Sequence, residues 1–321
     1  MNKFKKIGLS ALAGSLVAFS ANAGEMSVAG SASISLEHIN GGAANTGKSF
    51  SMGNQLTFTG GGELDNGLNV SLSFVLDQND DSTTAAAQLY SGGPFDSHSV
   101  TISSDGLGTL KFSGEGGSSA VSAIDGTVAG DIWDSFDIAS TVHATGVGGG
   151  DNSMMYTAPA MVDGLALNIS YTPTGSGTDS ATSFAGTYTG IEGLTVSYGV
   201  GDDTSVGNAG EGTAFKAEYA IGAVTVGYSN YEFDTTGTTS DDETTGYKVS
   251  YTVSDELSLT YGSETVERPG KTDGEYASLS ASYTAGGMTI TAAMKDAENM
   301  DGSTTATQDR ELWSLGLSFA F

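Results

Sequence analysis

The sequence predicts an all-β fold, a transmembrane antiparallel β-barrel of about sixteen strands. Two observations predict it. Large apolar residues alternate with small or polar ones at period two along most of the chain, which is typical of strands with two unlike faces. Short turns also alternate with long polar loops. About seven short turns and eight long loops join about sixteen strands, an even number as a closed antiparallel barrel requires.

The stretch 310–321 shows the alternation most clearly. Small or polar residues separate five bulky apolar ones, which are Trp313, Leu315, Leu317, Phe319 and Phe321. A first strand at about 25–39 has the same pattern. We expect these two strands to pair and close the sheet on itself.

The connections set the predicted strand boundaries. Asp-Gly and Asn-Gly pairs supply the positive φ that tight hairpins need. The short turns are predicted near 64–67, 104–106, 161–164, 191–193, 221–223, 254–256 and 285–287. The long loops are predicted at about 39–48, 77–97, 115–152, 173–182, 201–212, 231–244, 265–274 and 296–309.

The second face of the predicted strands consists mainly of Ser, Thr, Gly and Asn, which could not form a dry interior. Strands of a soluble β-sandwich also alternate, but their apolar faces meet inside the molecule. We therefore expect the bulky face to contact lipid and the polar face to line water.

The first residues indicate export. Lys3, Lys5 and Lys6 form a basic head, residues 7–19 are apolar, and 21–23 read Ala-Asn-Ala, a small-residue cleavage site. Residues 1–23 are therefore predicted to be a signal peptide and residues 24–321 the barrel domain.

The composition excludes several classes of function. The 321-residue chain has a formal net charge of -27, which would repel the phosphates of nucleic acids and favour cations. It has 38 acidic residues against 11 basic ones, three of which lie in the predicted signal peptide. The sequence contains no cysteine, so disulfides and thiolate chemistry are excluded.

The longest connection, 115–152, is too long for a loop without a role. Trp133 and Phe136 lie among four recurring acids, which are Asp125, Asp131, Asp134 and Asp137. If the loop folds inward, its aromatic side chains can pack on the inner wall, and its carboxylates would narrow a pore and attract cations. The alternative is an outward, solvated acidic loop.

The chain resembles the general porins of Gram-negative outer membranes, especially the alphaproteobacterial type. The matching stretches are Gly24–Val28, Gly108–Gly114 before the long loop, Ser153–Pro159 running into Met161–Leu165, and the last strand to Phe321. The resemblance implies a trimeric barrel of sixteen strands, a constriction made by the third loop, and passive diffusion of small hydrophilic solutes.

One feature departs from that family, whose members place an arginine cluster on the wall facing the acidic loop. Arg268 and Arg310 are predicted in or beside loops. The candidate inward bases at the constriction are Lys111, Lys216 and Lys248, with Glu218 and Glu37 among them. We therefore expect cation preference rather than strong charge separation across the pore.

Motifs for other chemistry lack their structural context. Residues 42–49 match the Walker A pattern, but a period-two strand follows them instead of the helix that nucleotide binding needs. His38, His98 and His143 show no paired zinc-ligand spacing. No G-x-S-x-G elbow marks a nucleophile, which leaves a His-dependent outer-membrane hydrolase as a weak alternative.

Acid clusters in the predicted loops could hold calcium or magnesium, or could simply be a solvated surface. They are Asp77, Asp80 and Asp81, then Asp202 and Asp203, then Asp241, Asp242 and Glu243. Apart from such ions we expect no cofactor.

The sequence thus predicts a non-enzymatic, cation-preferring diffusion channel of the outer membrane of a Gram-negative bacterium. Its expected partners are outer-membrane lipid, lipopolysaccharide, small hydrophilic solutes and two further copies of itself in a homotrimer. The alternatives are a non-conducting structural or adhesive outer-membrane barrel and a soluble exported β-protein.

Overall fold

The computed structural model describes residues 25–41, 47–77, 96–136, 147–173, 179–204, 209–235, 241–304 and 309–321. The predicted signal peptide at 1–23 and the predicted pore residue Asp137 lie outside the described residues, so both stay predictions.

Sixteen strands form one closed antiparallel barrel, in which each strand pairs with the next one along the chain. This confirms the predicted fold class. The strands are β1 (Glu25–Asn40), β2 (Gly47–Glu63), β3 (Asn69–Asp77), β4 (Ser97–Ser104), β5 (Gly108–Glu115), β6 (Ser153–Thr157), β7 (Leu165–Pro173), β8 (Ser180–Tyr188), β9 (Leu194–Asp203), β10 (Gly210–Ile221), β11 (Val224–Thr235), β12 (Asp241–Thr252), β13 (Leu257–Glu267), β14 (Gly274–Ala285), β15 (Met288–Glu298) and β16 (Arg310–Ala320).

Strand β16 closes the barrel against β1, as the alternation at 310–321 predicts. The pairing runs from Ser31–Ala320 to Asn40–Glu311. Beyond it, the Gly30 N–H donates to the Phe321 carbonyl at 2.7 Å, and the Phe321 N–H donates back at 2.9 Å. Closure satisfies the backbone groups that an open edge would leave unpaired.

The bulky side chains of β16 point away from the barrel interior. Trp313, Leu315 and Phe319 are 43%, 44% and 37% exposed, although they are among the most apolar residues of the chain. The same holds for large apolar side chains on the other strands, such as Leu279 and Val249. A β-sandwich would bury this face, so the outward orientation excludes that alternative for the described strands.

The short turns lie where the sequence predicts them, but several long loops are shorter than predicted. Residues 231–235 complete β11, and Asp241–Glu243 begin β12. Asp202 and Asp203 likewise belong to β9, and Arg310 begins β16. The polar composition of these segments misled the loop prediction, because backbone pairing continues past the apolar band into water.

The connection between β5 and β6 contains a short 3₁₀ helix, Ile132–Phe136, and a second one, Met300–Gly302, lies between β15 and β16. No helix within the described ranges is both long and apolar enough to cross a bilayer.

Candidate functional site: an acidic loop on the inner wall

Residues 116–136 of the long loop run along the inside of the barrel. The Val128 side chain lies against Gly227 of β11, and Ala129 lies against Gly262 of β13. The neighbours of these glycines, Tyr228 and Tyr261, are exposed on the outer face. Since successive strand residues point to opposite faces, the loop lies inside, which confirms the predicted inward fold.

Two apolar clusters anchor the loop to the wall. In the first, Ile132 and Phe136 of the 3₁₀ helix are almost fully buried against Val266, Tyr276, Ala297, Met300 and Leu312. In the second, Val121 and Val147 are buried against Ala181, Ala214, Tyr231 and Phe233. The buried apolar residues of the described chain therefore lie where the loop meets the barrel, inside rather than between sheets.

Inward glycines make room for this close approach. A methyl group added at Gly227 would lie 3.0 Å from the Val128 Cβ, and one added at Gly246 would lie 3.1 Å from the Thr127 Cβ. Both distances are shorter than ordinary van der Waals contact. The wall thus fits the loop only because these strand positions carry no side chain.

Hydroxyl groups of the wall accept hydrogen bonds from the loop backbone. Ser170 Oγ accepts from the Ala120 N–H at 3.0 Å, and Ser229 Oγ accepts from the Val128 N–H at 3.0 Å. Ser183 Oγ accepts from the Val121 N–H at 3.3 Å. The buried loop backbone thereby finds the partners that it would otherwise lack.

Glu264 of β13 holds the turn 127–131. This side chain is only 2% exposed, and its carboxylate accepts hydrogen bonds from the Thr127 hydroxyl and from the Trp133 N–H, the latter at 3.1 Å. Within the turn, Asp131 Oδ1 accepts from the Thr127 N–H at 2.8 Å. Asp131 adopts φ 51°, a left-handed conformation in which an aspartate can bond the local backbone.

Two inward bases hold the end of the 3₁₀ helix. Lys295 of β15 donates to Ser135 Oγ, and Arg310 Nη1 donates to the Phe136 carbonyl at 3.0 Å. Arg310 is buried, at 9% exposure, and therefore faces the interior instead of lying in a loop. The loop is thus attached to the wall from β7 to β16.

The structure brings three of the predicted site residues together. Asp125 and Asp131 of the loop both interact electrostatically with Lys216 of β10. Burial raises the pKa of Asp125 to about 6, and the Asp131 carboxylate adds to the rise while Lys216 opposes it. Asp125 therefore changes its charge around pH 6, well above the usual range of an aspartate.

The other predicted site residues take different positions. Lys248 of β12 forms an ion pair with Glu218 of β10, so these two wall residues engage each other. Asp134 lies in the 3₁₀ helix with an exposed side chain. Lys111 is a half-buried residue of β5, in register with Thr101 and Met155.

The inner wall at β1 and β2 is lined by hydroxyl groups and is open to water. Ser31, Ser33, Ser49 and Ser51 face inward yet are exposed. The Ser35 and Ser51 hydroxyls are hydrogen-bonded to each other at 2.7 Å. A wet lumen therefore remains beside the part of the wall that the loop covers.

The remaining motifs of the sequence lie partly outside the described residues. Residues 42–46 of the Walker A match are outside the described residues, whereas Gly47, Lys48 and Ser49 begin β2, as the strand prediction requires. No group of three His, Cys, Asp or Glu side chains in the described ranges is arranged to hold a metal ion.

The sequence matches the Gram-negative porin family over residues 8–268, which is more than half of the chain. The chain belongs to the Gram-negative porin family. This porin is accordingly a channel protein of the outer membrane. No curated protein matches its sequence significantly.

Solved structures show the same fold at low sequence identity. A porin refined at 1.8 Å resolution has a TM-score of 0.67 and 19% identity, and the match covers 92% of this porin and 100% of that chain. A variant of the Rhodobacter blastica porin has a TM-score of 0.67 and 14% identity with the same coverage. A chain described under the asymmetric conductivity of engineered proteins has a TM-score of 0.66 and 14% identity over the same shares.

Three wall residues of this porin that hold the loop were missed by the sequence reasoning: Glu264, Lys295 and Arg310. The signal was available for the first two, because the period-two alternation of their strands places both on the inner face. Lys295 follows the exposed Met294, and Glu264 has the inward parity of Gly262. Which loop atoms they contact could not be read from the sequence.

Proposed function

We propose that this outer-membrane diffusion channel passes small hydrophilic solutes and ions and prefers cations over anions. Its role is transport rather than catalysis. The proposal is supported by the family, by the wet inner wall, and by the acidic loop inside the barrel.

The observation that carries the cation preference is the unequal engagement of acids and bases inside the barrel. Among the five inward bases, Lys248 is paired with Glu218, Lys295 lies in the field of the wall acids Glu264 and Glu37, and Arg310 is buried against the Phe136 carbonyl. In contrast, Asp134 is exposed, and Asp125 and Asp131 share the field of Lys216. A net charge of -27 adds a negative potential over the whole molecule.

Reversal potentials in planar bilayers test this proposal. With a tenfold KCl gradient across the membrane, the sign of the zero-current potential reports which ion permeates faster. At pH 7.5 we expect a zero-current potential of the sign that indicates faster permeation of potassium than of chloride. A potential of the opposite sign would refute cation preference, and no conductance at all would instead support the structural or adhesive alternative.

We also propose that the channel is a homotrimer whose subunits meet along β3–β6. At about 3.3 Å per residue and a tilt of about 40°, the eight-residue strands β4 and β5 span about 20 Å, and the five-residue β6 spans about 13 Å. An apolar band needs about 25 Å. Strands this short cannot span the apolar band. Contact with a second copy would shield the polar groups beyond their ends, whereas contact with lipid would leave those groups in the hydrocarbon.

The distribution of charge on the outer face supports the same surface. On β9–β16, outward acids stand opposite one another across the strands, for example Glu211–Asp202, Glu232–Glu243 and Glu275–Glu298. Among the described residues, the outer face of β1–β8 carries one strand acid, Glu115 of β5, whose Oε2 lies 4.0 Å from Nδ1 of His98 of β4. Like charges repel, so the half with fewer outward acids is the half that can approach another copy.

A further inference from the structure

We propose that Lys216 is a specificity-determining residue that limits the cation preference of this pore by opposing the loop carboxylates Asp125 and Asp131. The inference rests on the proposed cation preference. It states that one residue of the wall, Lys216, determines how strong that preference is. It also makes that preference depend on pH.

Lys216 lies directly beneath the acidic part of the loop. It is an inward residue of β10, in register with Ser197 of β9 and Ser229 of β11. A methyl group placed on Gly126 would lie 4.0 Å from Lys216 Nζ and 3.1 Å from Asp131 Oδ2. The ammonium and the carboxylate therefore flank the same short piece of loop backbone.

The neighbouring wall charges pair with each other, so Lys216 is the base that offsets the negative charge of the loop carboxylates. Glu218, the next inward residue of β10, is paired with Lys248. Lys216 itself makes no contact ion pair with a described residue, and its electrostatic partners are Asp131, Glu218, Asp125 and Lys248. The ammonium of Lys216 therefore attracts both loop carboxylates electrostatically without forming a contact ion pair with either of them.

The local charge follows from this arrangement. With Asp125 and Asp131 both ionised, Lys216 leaves one net negative charge beside the lumen. When Asp125 takes up a proton, Lys216 and Asp131 cancel. Because the pKa of Asp125 is raised to about 6 by burial and by Asp131, this change falls between about pH 7 and pH 5. Cation preference should therefore decrease as the pH falls through this window.

The charged and titratable groups around Asp125 come from four elements. Asp131 belongs to the loop, Lys216 to β10 and Tyr231 to β11, and Glu264 of β13 acts on Tyr231 and Asp131 rather than directly on Asp125. Lys216 is the only base that acts directly on Asp125 among these described neighbours. Its removal therefore changes both the net charge and the proton affinity of Asp125.

The test measures potassium-to-chloride permeability ratios of the full-length channel in planar bilayers from pH 8 to pH 4.5. Lys216→Met should raise the ratio about sevenfold at pH 8 before screening by salt, because a unit charge ~7 Å away in water changes the energy of each ion by about RT, with opposite signs for potassium and chloride. It should also move the pH midpoint of the ratio upward. Lys216→Arg should restore both values toward those of the unmodified channel. Lys271→Met, in the connection between β13 and β14, is the matched control and should change neither.

Two outcomes would overturn the inference while leaving the proposed function intact. One is an unchanged ratio in Lys216→Met in a channel whose unmodified form prefers potassium. The other is a higher ratio with a pH midpoint that is unmoved or lowered, since a loosened loop would expose Asp125 and lower its pKa, whereas the loss of Lys216 from an intact loop raises it. If Lys216→Met does not insert, Asp125→Asn must lower the ratio at pH 8 and abolish the pH dependence between 7 and 5. An anion preference in the unmodified channel would contradict the proposed function instead.

Discussion

At the scale of single residues, Glu264 is the wall side chain on which the position of the loop depends. Its carboxylate accepts from the Thr127 hydroxyl and the Trp133 N–H, and it is almost fully buried. A buried carboxylate with two charge-assisted bonds fixes the turn that carries Asp131. The same residue makes the loop a fixed part of the pore rather than a free flap.

Glu264→Gln should loosen this turn, because the two bonds go to different carboxylate oxygens and the amide replaces one of these oxygens with an NH2 group that cannot accept. Loss of a charge-assisted bond costs about 1.5–3 kcal/mol, so the amides of residues 127–136 should exchange hydrogen at least about tenfold faster. Hydrogen exchange by mass spectrometry in detergent micelles measures this. Glu275→Gln, on the exposed outer face of β14, is the control and should leave the loop amides unchanged. If these amides exchange equally slowly in Glu264→Gln and in the unmodified channel, the two apolar clusters are sufficient to hold the loop and Glu264 is not needed for its position.

At the scale of strands, the sequence predicts which face of the barrel each residue occupies, although it does not predict which residues contact one another. Parity alone predicts that Leu315 and Phe319 face outward and that Lys216 and Lys248 face inward, because period two fixes the side of each residue. Strand ends are not predictable in this way. Asp241–Glu243 and Arg310 lie in strands although their polarity is typical of loops, since water at the barrel ends tolerates any side chain.

The positions of the loop contacts could not be predicted for a related reason. Thr127 meets Glu264 across 137 residues of chain, and Arg310 meets Phe136 across 174. Such pairs depend on how the whole barrel closes. No local pattern encodes them, so Lys216 could be assigned to the lumen from the sequence but not to Asp125 and Asp131.

The short strands β3–β6 lead to a prediction about assembly. Leu72→Glu, on the outer face of β3, should convert a trimer to monomers, because it places a charge in the proposed contact between copies. Leu279→Glu, on the outer face of β14, carries the same change outside that contact and should leave the assembly intact. The mass of the detergent-solubilised channel, measured by light scattering, distinguishes the two. Loss of assembly in both variants, or in neither, would contradict the proposed surface.

At the scale of the whole molecule, acids and bases are sorted between the two faces of the barrel. After residue 23 the chain has few basic residues, and five of them face inward: Lys111, Lys216, Lys248, Lys295 and Arg310. Many acids lie on the outer face of β9–β16 or in the loops. The lumen is therefore much closer to neutral than the net charge of -27 suggests, and a few loop carboxylates can decide its selectivity.

The measurement that tests this account most directly uses the absence of cysteine from the sequence. A cysteine at Asp134 should react with a cationic, water-soluble methanethiosulfonate added to a single open channel, and each modification should reduce the potassium current in a step. A cysteine at Leu315, on the lipid side of β16, should leave the current unchanged. If Asp134→Cys is modified without any change of current, or if Leu315→Cys reduces the current instead, then the acidic loop does not border the conduction path and the account is wrong.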